Sequence, residues 1–235
     1  MAVNKDVQDK YEEDYHTGKI AKDFGGFSEA HWTNSGRWRT TAVNIVSLLK
    51  DRTPGNPRIL EIGCGPGSLV KEFKAILPGC QPVGLDISFY ALSNKIFPDL
   101  NLIRACASEL PFQSNIFDMV MAFDVIEHLP YPYMGKILSE VIRVSKDTVD
   151  FMITVPLRDR DGTENKLESE GVMEHYIVQP HQWWVDEISK YGFAPYINSE
   201  TDELVNWSEA LADRGFPFNM APENQFILFV KDSNV

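Results

Sequence analysis

Ile59-Leu60-Glu61-Ile62-Gly63-Cys64-Gly65-Pro66-Gly67 is the stretch that decides the fold. A short apolar strand, Arg58 to Ile62, runs into glycines at alternate positions, and Ser68 to Leu77 then has the apolar period of a helix. Glycines at a strand exit let the chain turn tightly and let a ligand lie against bare backbone. Pro82 to Leu85 is the next strand. It ends at Asp86, 19 residues past Gly67, where an acid can accept hydrogen bonds from two ribose hydroxyls. The glycine spacing separates two kinds of ligand. Dinucleotide binding asks for G-x-G-x-x-G. Counted from Gly63, the third glycine falls due at Ser68; counted from Gly65, it falls due at Val70. Neither frame fits, which disfavours a dehydrogenase. The chain has E-x-G-x-G-x-G instead.

Outward from this core the alternation continues. Arg37 to Lys50 has helical spacing, and 53–57 is a turn cluster. Tyr90 to Ile96 reads as a short helix, Leu100 to Arg104 and Phe117 to Phe123 as strands, Tyr133 to Val144 as an amphipathic helix, and Thr148 to Val155 as a strand. This order predicts a parallel, doubly wound sheet, and the near-continuous apolar strands fit burial on both faces. Beyond Pro156 the period is lost. Leu157 to Gly171 reads as a long charged loop, a kind that is often functional. Gln182 to Tyr191 is a helix stopped by Gly192. Phe193 to Ile197 and Gln225 to Val230 are the last strands, with a possible helix at Glu203 to Asp213 between them. Residues 1–36, polar and aromatic with a Gly25-Gly26 break, form a separate cap or lid segment.

The 235 residues suit one elaborated domain. With 34 acidic and 22 basic residues the net charge is -12. Such a surface repels phosphate backbones and anionic lipid, so neither nucleic acid nor membrane is the expected partner. The three cysteines, Cys64, Cys80 and Cys106, have no zinc or disulfide spacing. The first residues have no apolar core of a signal peptide. A cytoplasmic protein is the simple expectation.

Glu61 to Gly67 resembles the first motif of class I S-adenosylmethionine-dependent methyltransferases, and Val83-Gly84-Leu85-Asp86-Ile87-Ser88 resembles their second. Ala107 to Phe112 with Phe117-Asp118 resembles the adenine-side loop and the strand after it. Phe123 to Leu129 resembles the segment after strand four. The resemblance covers residues 37–156 well and the later helix and strand pair loosely. It implies a Rossmann-like, seven-stranded, mostly parallel α/β sheet with helices on both faces, an antiparallel last strand and an N-terminal helical lid. The methyltransferase domain is expected over 37–235, with acceptor-side insertions near 157–181 and 200–220. S-adenosylmethionine is the implied cofactor, leaving as S-adenosylhomocysteine. Gly63, Cys64, Gly65 and Gly67 are expected under its methionine part. Glu61 is expected to orient that loop or meet the amino group, Asp86 to hold the ribose, and Ile87 to lie against adenine. Ala107 and Ser108 are expected along the adenine edge, and Phe123 and Asp124 at the exit of strand four. Tyr15 or Arg37 is expected to reach the methionine carboxylate. Cys106 stands where the family often has an Asp for the adenine amino group, and a thiol is a poor acceptor.

Methyl transfer from a sulfonium is an in-line displacement that needs an aligned nucleophile and a dry site. A hydroxyl nucleophile is helped by a base, and histidine is the commonest. The five histidines are His16, His31, His128, His175 and His181. His128 follows Glu127 at the sheet rim where ligands bind. His175 sits shortly before a helix that ends in Gly192-Phe193, as in many small-molecule methyltransferases. Both are candidates for base or acceptor contact. Asp124, Glu127 and His128 resemble an acid-x-x-Glu-His run associated with a divalent metal in ubiquinone-pathway O-methyltransferases. The same Glu-His pair occurs in relatives that need no metal, and no metal is expected here. Trp183 and Trp184 read as core more than as substrate platform, though adjacent helical residues point apart. The Asn/Asp-Pro-Pro-Tyr run of many nucleic-acid methyltransferases is missing after strand four. The expected activity is O-methylation of a small hydroxylated metabolite, a glycoside or secondary metabolite. The alternatives are N- or C-methylation of a small molecule or peptide, or a non-catalytic cofactor-binding scaffold.

Overall fold

The computed structural model describes residues 9, 11–12, 35–48, 55–93, 97–156, 175–196 and 224–231. Helix α1 is Ser35–Leu48, followed by β1 (Arg58–Ile62), α2 (Ser68–Ile76), β2 (Gln81–Asp86), α3 (Phe89–Ser93), β3 (Leu102–Arg104) and β4 (Phe117–Phe123). A 3-10 turn, Ile126–His128, leads to α4 (Tyr131–Val144), β5 (Ser145–Pro156), α5 (His181–Ser189), β6 (Phe193–Pro195) and β7 (Asn224–Lys231). The seven strands form one sheet in the order β3-β2-β1-β4-β5-β7-β6. β7 runs antiparallel to both its neighbours, and the other described pairings are parallel. The expected Rossmann-like sheet is therefore the observed one. The order reverses at β1, so the first crossovers wind one way and the next the other. The β1 and β4 exits lie side by side there, where such sheets bind ligands.

Strand alternation feeds two cores. Leu60 and Ile62 of β1, Val120 and Ala122 of β4, and Phe151, Ile153 and Val155 of β5 face Met134, Ile137, Leu138 and Val141 of α4 and Trp184 and Ile188 of α5. Ile59, Met119, Met121 and Met152 point the other way, onto Ala42 and Ile45 of α1 and Leu69 and Phe73 of α2. Phe117 breaks the parity of β4 by sharing the face of Val120. The pairing of β4 with β5 shifts between Phe117 and Met119, and an extra residue there turns the side chain over.

Some boundaries differ from the expected ones for local reasons. α4 begins at Tyr131 rather than 133, with Pro130 as cap and Pro132 in its first turn, where a missing N–H costs nothing. β5 begins at Ser145 with no loop after α4, because the Ser145 hydroxyl donates to the Val141 carbonyl at 2.6 Å and so closes the helix end. β3 starts at Leu102 rather than Leu100, since the Leu102 amide is tied back to the Leu100 carbonyl at 3.1 Å. The expected loop at 157–171, the possible helix at 203–213 and most of the N-terminal segment lie outside the described residues. No described helix is long and apolar enough to cross a membrane.

Candidate active site

At the β1 exit, Gly63, Gly65 and Gly67 have φ of +72°, +53° and +87°, a region that side chains with a Cβ avoid. Gly63 has a second constraint, for a Cβ there would come 2.3 Å from Val125 Cγ2. The glycine loop thus rests directly on the loop leaving β4. Asp86, at the tip of β2, holds this loop from the other side. Its Oδ2 accepts from the Gly65 amide at 2.7 Å and its Oδ1 from the Ser88 amide at 2.8 Å. A carboxylate has about four acceptor positions, so each oxygen retains capacity for a ligand hydroxyl.

Glu61 lies beneath the loop, and its carboxylate accepts from the Val70 amide in the first turn of α2. Its Oε2 is buried and accepts no hydrogen bond among the described residues. Burial, and then the nearby Asp86 charge, hold the Glu61 carboxyl well above the usual range. Burial also raises Asp86, against the lowering by its backbone donors. Two buried acids converging on a glycine loop are costly without a donor-rich or cationic ligand. Cys64 is buried, and desolvation raises its thiol well above the ordinary value, which suits packing and not nucleophilic chemistry.

The loop expected on the adenine side, residues 107–112, is pinned from α4. Glu140 Oε2 accepts from the Leu110 amide at 2.7 Å, while Arg143 donates to the carbonyls of Leu110 at 3.0 Å and Phe112 at 2.8 Å. Arg143 in turn lowers the Glu140 carboxyl below the ordinary range. Within the loop the Cys106 sulfur accepts from the Ser108 amide at 3.3 Å and meets the Ser108 hydroxyl at 3.0 Å. Cys106 therefore shapes the turn that presents the half-buried Ala107. Ile87, also half-buried, has its carbonyl bound by Arg104.

The exit of β4 builds the other half. Asp124 has φ +52°. Thr154 of β5 fixes it: the Asp124 amide donates to the Thr154 hydroxyl at 2.9 Å, and that hydroxyl donates to Asp124 Oδ1 at 2.8 Å. Phe123 packs against the core beneath α1 and α2. The Glu127 carbonyl accepts from the amides of Tyr176 at 2.8 Å and Ile177 at 3.2 Å. That pairing draws His175 onto His128, with ring centroids 4.7 Å apart. Glu127 and His128 are buried, and His175 is half-buried. Burial, with Asp124 second, raises the Glu127 carboxyl well above its usual range.

The two histidine candidates thus meet, from segments far apart in sequence, and Glu127 joins them, whereas Asp124 is engaged by Thr154. His181 heads α5, where burial lowers its pKa. Trp184 is fully buried, as expected for core, and Trp183 packs on Tyr131 at 6.0 Å. Tyr15, His16 and His31 lie outside the described residues. Arg37 lies in the first turns of α1 with only its backbone described.

Four contributors escape a sequence reading. Thr154 had a signal, a hydroxyl within the apolar run Phe151 to Val155. Glu140 and Arg143 had a weaker one, their i,i+3 spacing. Glu12 had none. Its carboxylate accepts from the Phe89 amide at 3.1 Å and the Tyr90 amide at 2.8 Å and pairs with Arg104 at 3.4 Å. It thereby caps α3 beside Asp86. The preceding Tyr11 packs edge-on against His128 at 5.8 Å, its hydroxyl donating to the His128 carbonyl at 3.5 Å.

Residues 60–153 match a family profile described as a methyltransferase domain. A malonyl-[acyl-carrier protein] O-methyltransferase of Legionella pneumophila is 35% identical over 95 residues, covering 37% of this chain and 32% of that protein. The chain spans 32% to 43% of the length of the first curated relatives it matches. Among solved structures, the [4+2]-cyclase SpnF superposes with a TM-score of 0.63 at 20% identity, over 96% of this chain and 94% of that one. A Haloferax volcanii complex of the Trm112 methyltransferase activator with a putative methyltransferase gives 0.62 at 14% identity, over 98% and 100%. Both structural likenesses concern the fold.

Proposed function

We propose that this chain is a class I S-adenosylmethionine-dependent methyltransferase, a reading supported by the matching methyltransferase-domain profile over residues 60–153, and that it transfers the cofactor's methyl group to a hydroxyl of a small metabolite. The observation that carries the cofactor half is the convergence of Glu61 and Asp86 on the glycine loop. The buried Glu61 Oε2 accepts no hydrogen bond among the described residues and suits the ammonium of the methionine part. The remaining acceptor capacity of Asp86 suits the ribose hydroxyls. Gly63, Cys64, Gly65 and Gly67 offer backbone to the same ligand, while Ile87, Ala107, Ser108 and the Cys106 turn border the adenine. Phe123 and Asp124 line the β4 exit, and Tyr15 or Arg37 meets the methionine carboxylate. When bound, the cofactor supplies a methyl carbon on a cationic sulfur, open to in-line displacement.

His128 and His175 hold and activate the acceptor hydroxyl. Their meeting at the β4 exit, one loop from Gly63, supports that role. The net charge of -12 supports a small acceptor over a nucleic acid. The expected acceptor-side insertions near 157–181 and 200–220 and the expected lid over 1–36 lie largely outside the described residues.

A thermal-shift titration with S-adenosylhomocysteine, followed by transfer assays on panels of hydroxyl, amine and peptide acceptors, tests both halves. Ligand at ~100 times its Kd should stabilise the chain by about 2.7 kcal/mol. Folded protein without a saturable shift overturns the cofactor reading and favours a degenerate scaffold. Turnover on amines or peptides with none on any hydroxyl overturns O-methylation.

A further inference from the structure

The acceptor corner contains a third donor that the histidine pair alone does not use. One carboxylate oxygen of Glu127 and one ring nitrogen each of His128 and His175 all lie within 4.8 Å of one another. Glu127 is 1% exposed, and its Oε2 accepts no hydrogen bond among the described residues. Native folds seldom keep a buried carboxylate oxygen in that state. The neighbouring imidazole does not account for it, because His128 Nε2 stands 3.9 Å from Glu127 Oε1, beyond hydrogen-bond reach. Buried carboxylates are otherwise paired or coordinate metals. The three donors are also held in place by backbone, through the Tyr176 and Ile177 amides on the Glu127 carbonyl.

We propose that Glu127, His128 and His175 hold one divalent transition-metal cation, of the class bound by two imidazoles and a carboxylate, such as zinc(II), cobalt(II) or iron(II). Donors sharing an ion at ~2.1 Å stand no more than about 4.2 Å apart, so loading draws the three inward. Three protein ligands leave a position open for an oxygen of the acceptor. A hydroxyl bound there loses its proton more readily than in water. The inference rests on the methyltransferase reading for that oxygen alone; binding of the ion needs no cofactor. The expectation of no metal drew on residues 124–128, a run that does not contain the third donor, His175.

The test uses the full chain, dialysed against chelator and titrated separately with cobalt(II), followed by visible absorption, and zinc(II), followed by calorimetry. One equivalent should bind saturably. Glu127→Gln and His175→Gln should each weaken binding at least about tenfold, since even outer partners of metal ligands cost 10- to 100-fold. His181→Gln should bind as the unaltered chain does. S-adenosylhomocysteine thermal shifts on the same samples report folding and the cofactor half independently. If one variant fails to fold, the other decides. No uptake by the folded chain, or unchanged uptake in the ligand variants, overturns the cation site and, with the thermal shift intact, leaves the methyltransferase reading standing. Specific uptake without a thermal shift supports the cation site and overturns the cofactor reading.

Discussion

The proposed cofactor half of the cleft is made of one continuous run, Glu61 to Gly67, and the tip of the adjacent strand at Asp86. The proposed acceptor half is assembled from Glu127-His128 and from His175, 47 positions later. In the first half one continuous backbone loop is held in place by the side chain of Asp86, through the Gly65 amide. In the second, the backbone serves only to bring side chains together. The difference teaches which substitutions should touch which function. Changes in the acceptor half should remove turnover and leave cofactor affinity alone. Changes in the cofactor half should act first on affinity.

The largest separation is expected from His175→Ala. Transfer to a hydroxyl should fall about 100- to 10,000-fold, with S-adenosylhomocysteine affinity by calorimetry unchanged; a matching loss of affinity would erase the distinction. Asp86→Ala should do the opposite. Each charge-assisted hydrogen bond contributes about 1.5–3 kcal/mol, so affinity should weaken by about 10- to 150-fold.

Asp86 also gives the comparison a pH signature. Its carboxyl titrates above the ordinary value, chiefly through burial. On the proposed reading, ligand affinity should be full above that raised pKa and fall as pH drops through it. The ligand-free fold responds the other way. An acid whose folded pKa exceeds its unfolded one stabilises below the unfolded value and loses that contribution as pH rises through the folded one. Between the two values, acidification should raise this part of Tm while weakening S-adenosylhomocysteine binding, and Asp86→Asn should flatten both trends.

Gly63→Ala tests whether the halves are separable at all. Left-handed strain of about 1–3 kcal/mol adds to the clash with Val125. Because Val125 belongs to the β4 exit, both affinity and turnover should fall. Loss of affinity alone would mean that the β4 exit tolerates displacement of the loop. The smallest effect is expected from Glu140→Gln. It weakens one pin of the adenine-side loop, about 1 kcal/mol for a hydrogen bond, or a few-fold in affinity, with turnover at saturating cofactor unchanged.

The same contrast explains what was legible in the residues themselves. The sheet, its two-sided burial and the glycine loop follow from alternation and local spacing, so β1, β2 and β4 fall where expected. Asp86 could be found because it sits at a fixed chain distance from the glycines. His128 and His175 could be named one at a time, by type and by element. That His175 joins the adjacent Glu127-His128 pair could not be read, since it depends on two amides of a loop reaching the Glu127 carbonyl. Asp124 looked like a partner of Glu127 by proximity in the chain, yet a β5 hydroxyl engages it. Glu12 left no trace, because capping α3 from about 75 residues away follows no local pattern.

Tyr11 and Glu12 have a mechanical consequence. They are consecutive, and their Cα atoms are about 3.8 Å apart across one peptide unit. Yet Tyr11 grips His128, while Glu12 grips the amides beside Asp86. Movement at either end is passed on through one peptide unit and two side chains, so a shift at His128 and a shift beside Asp86 should be coupled.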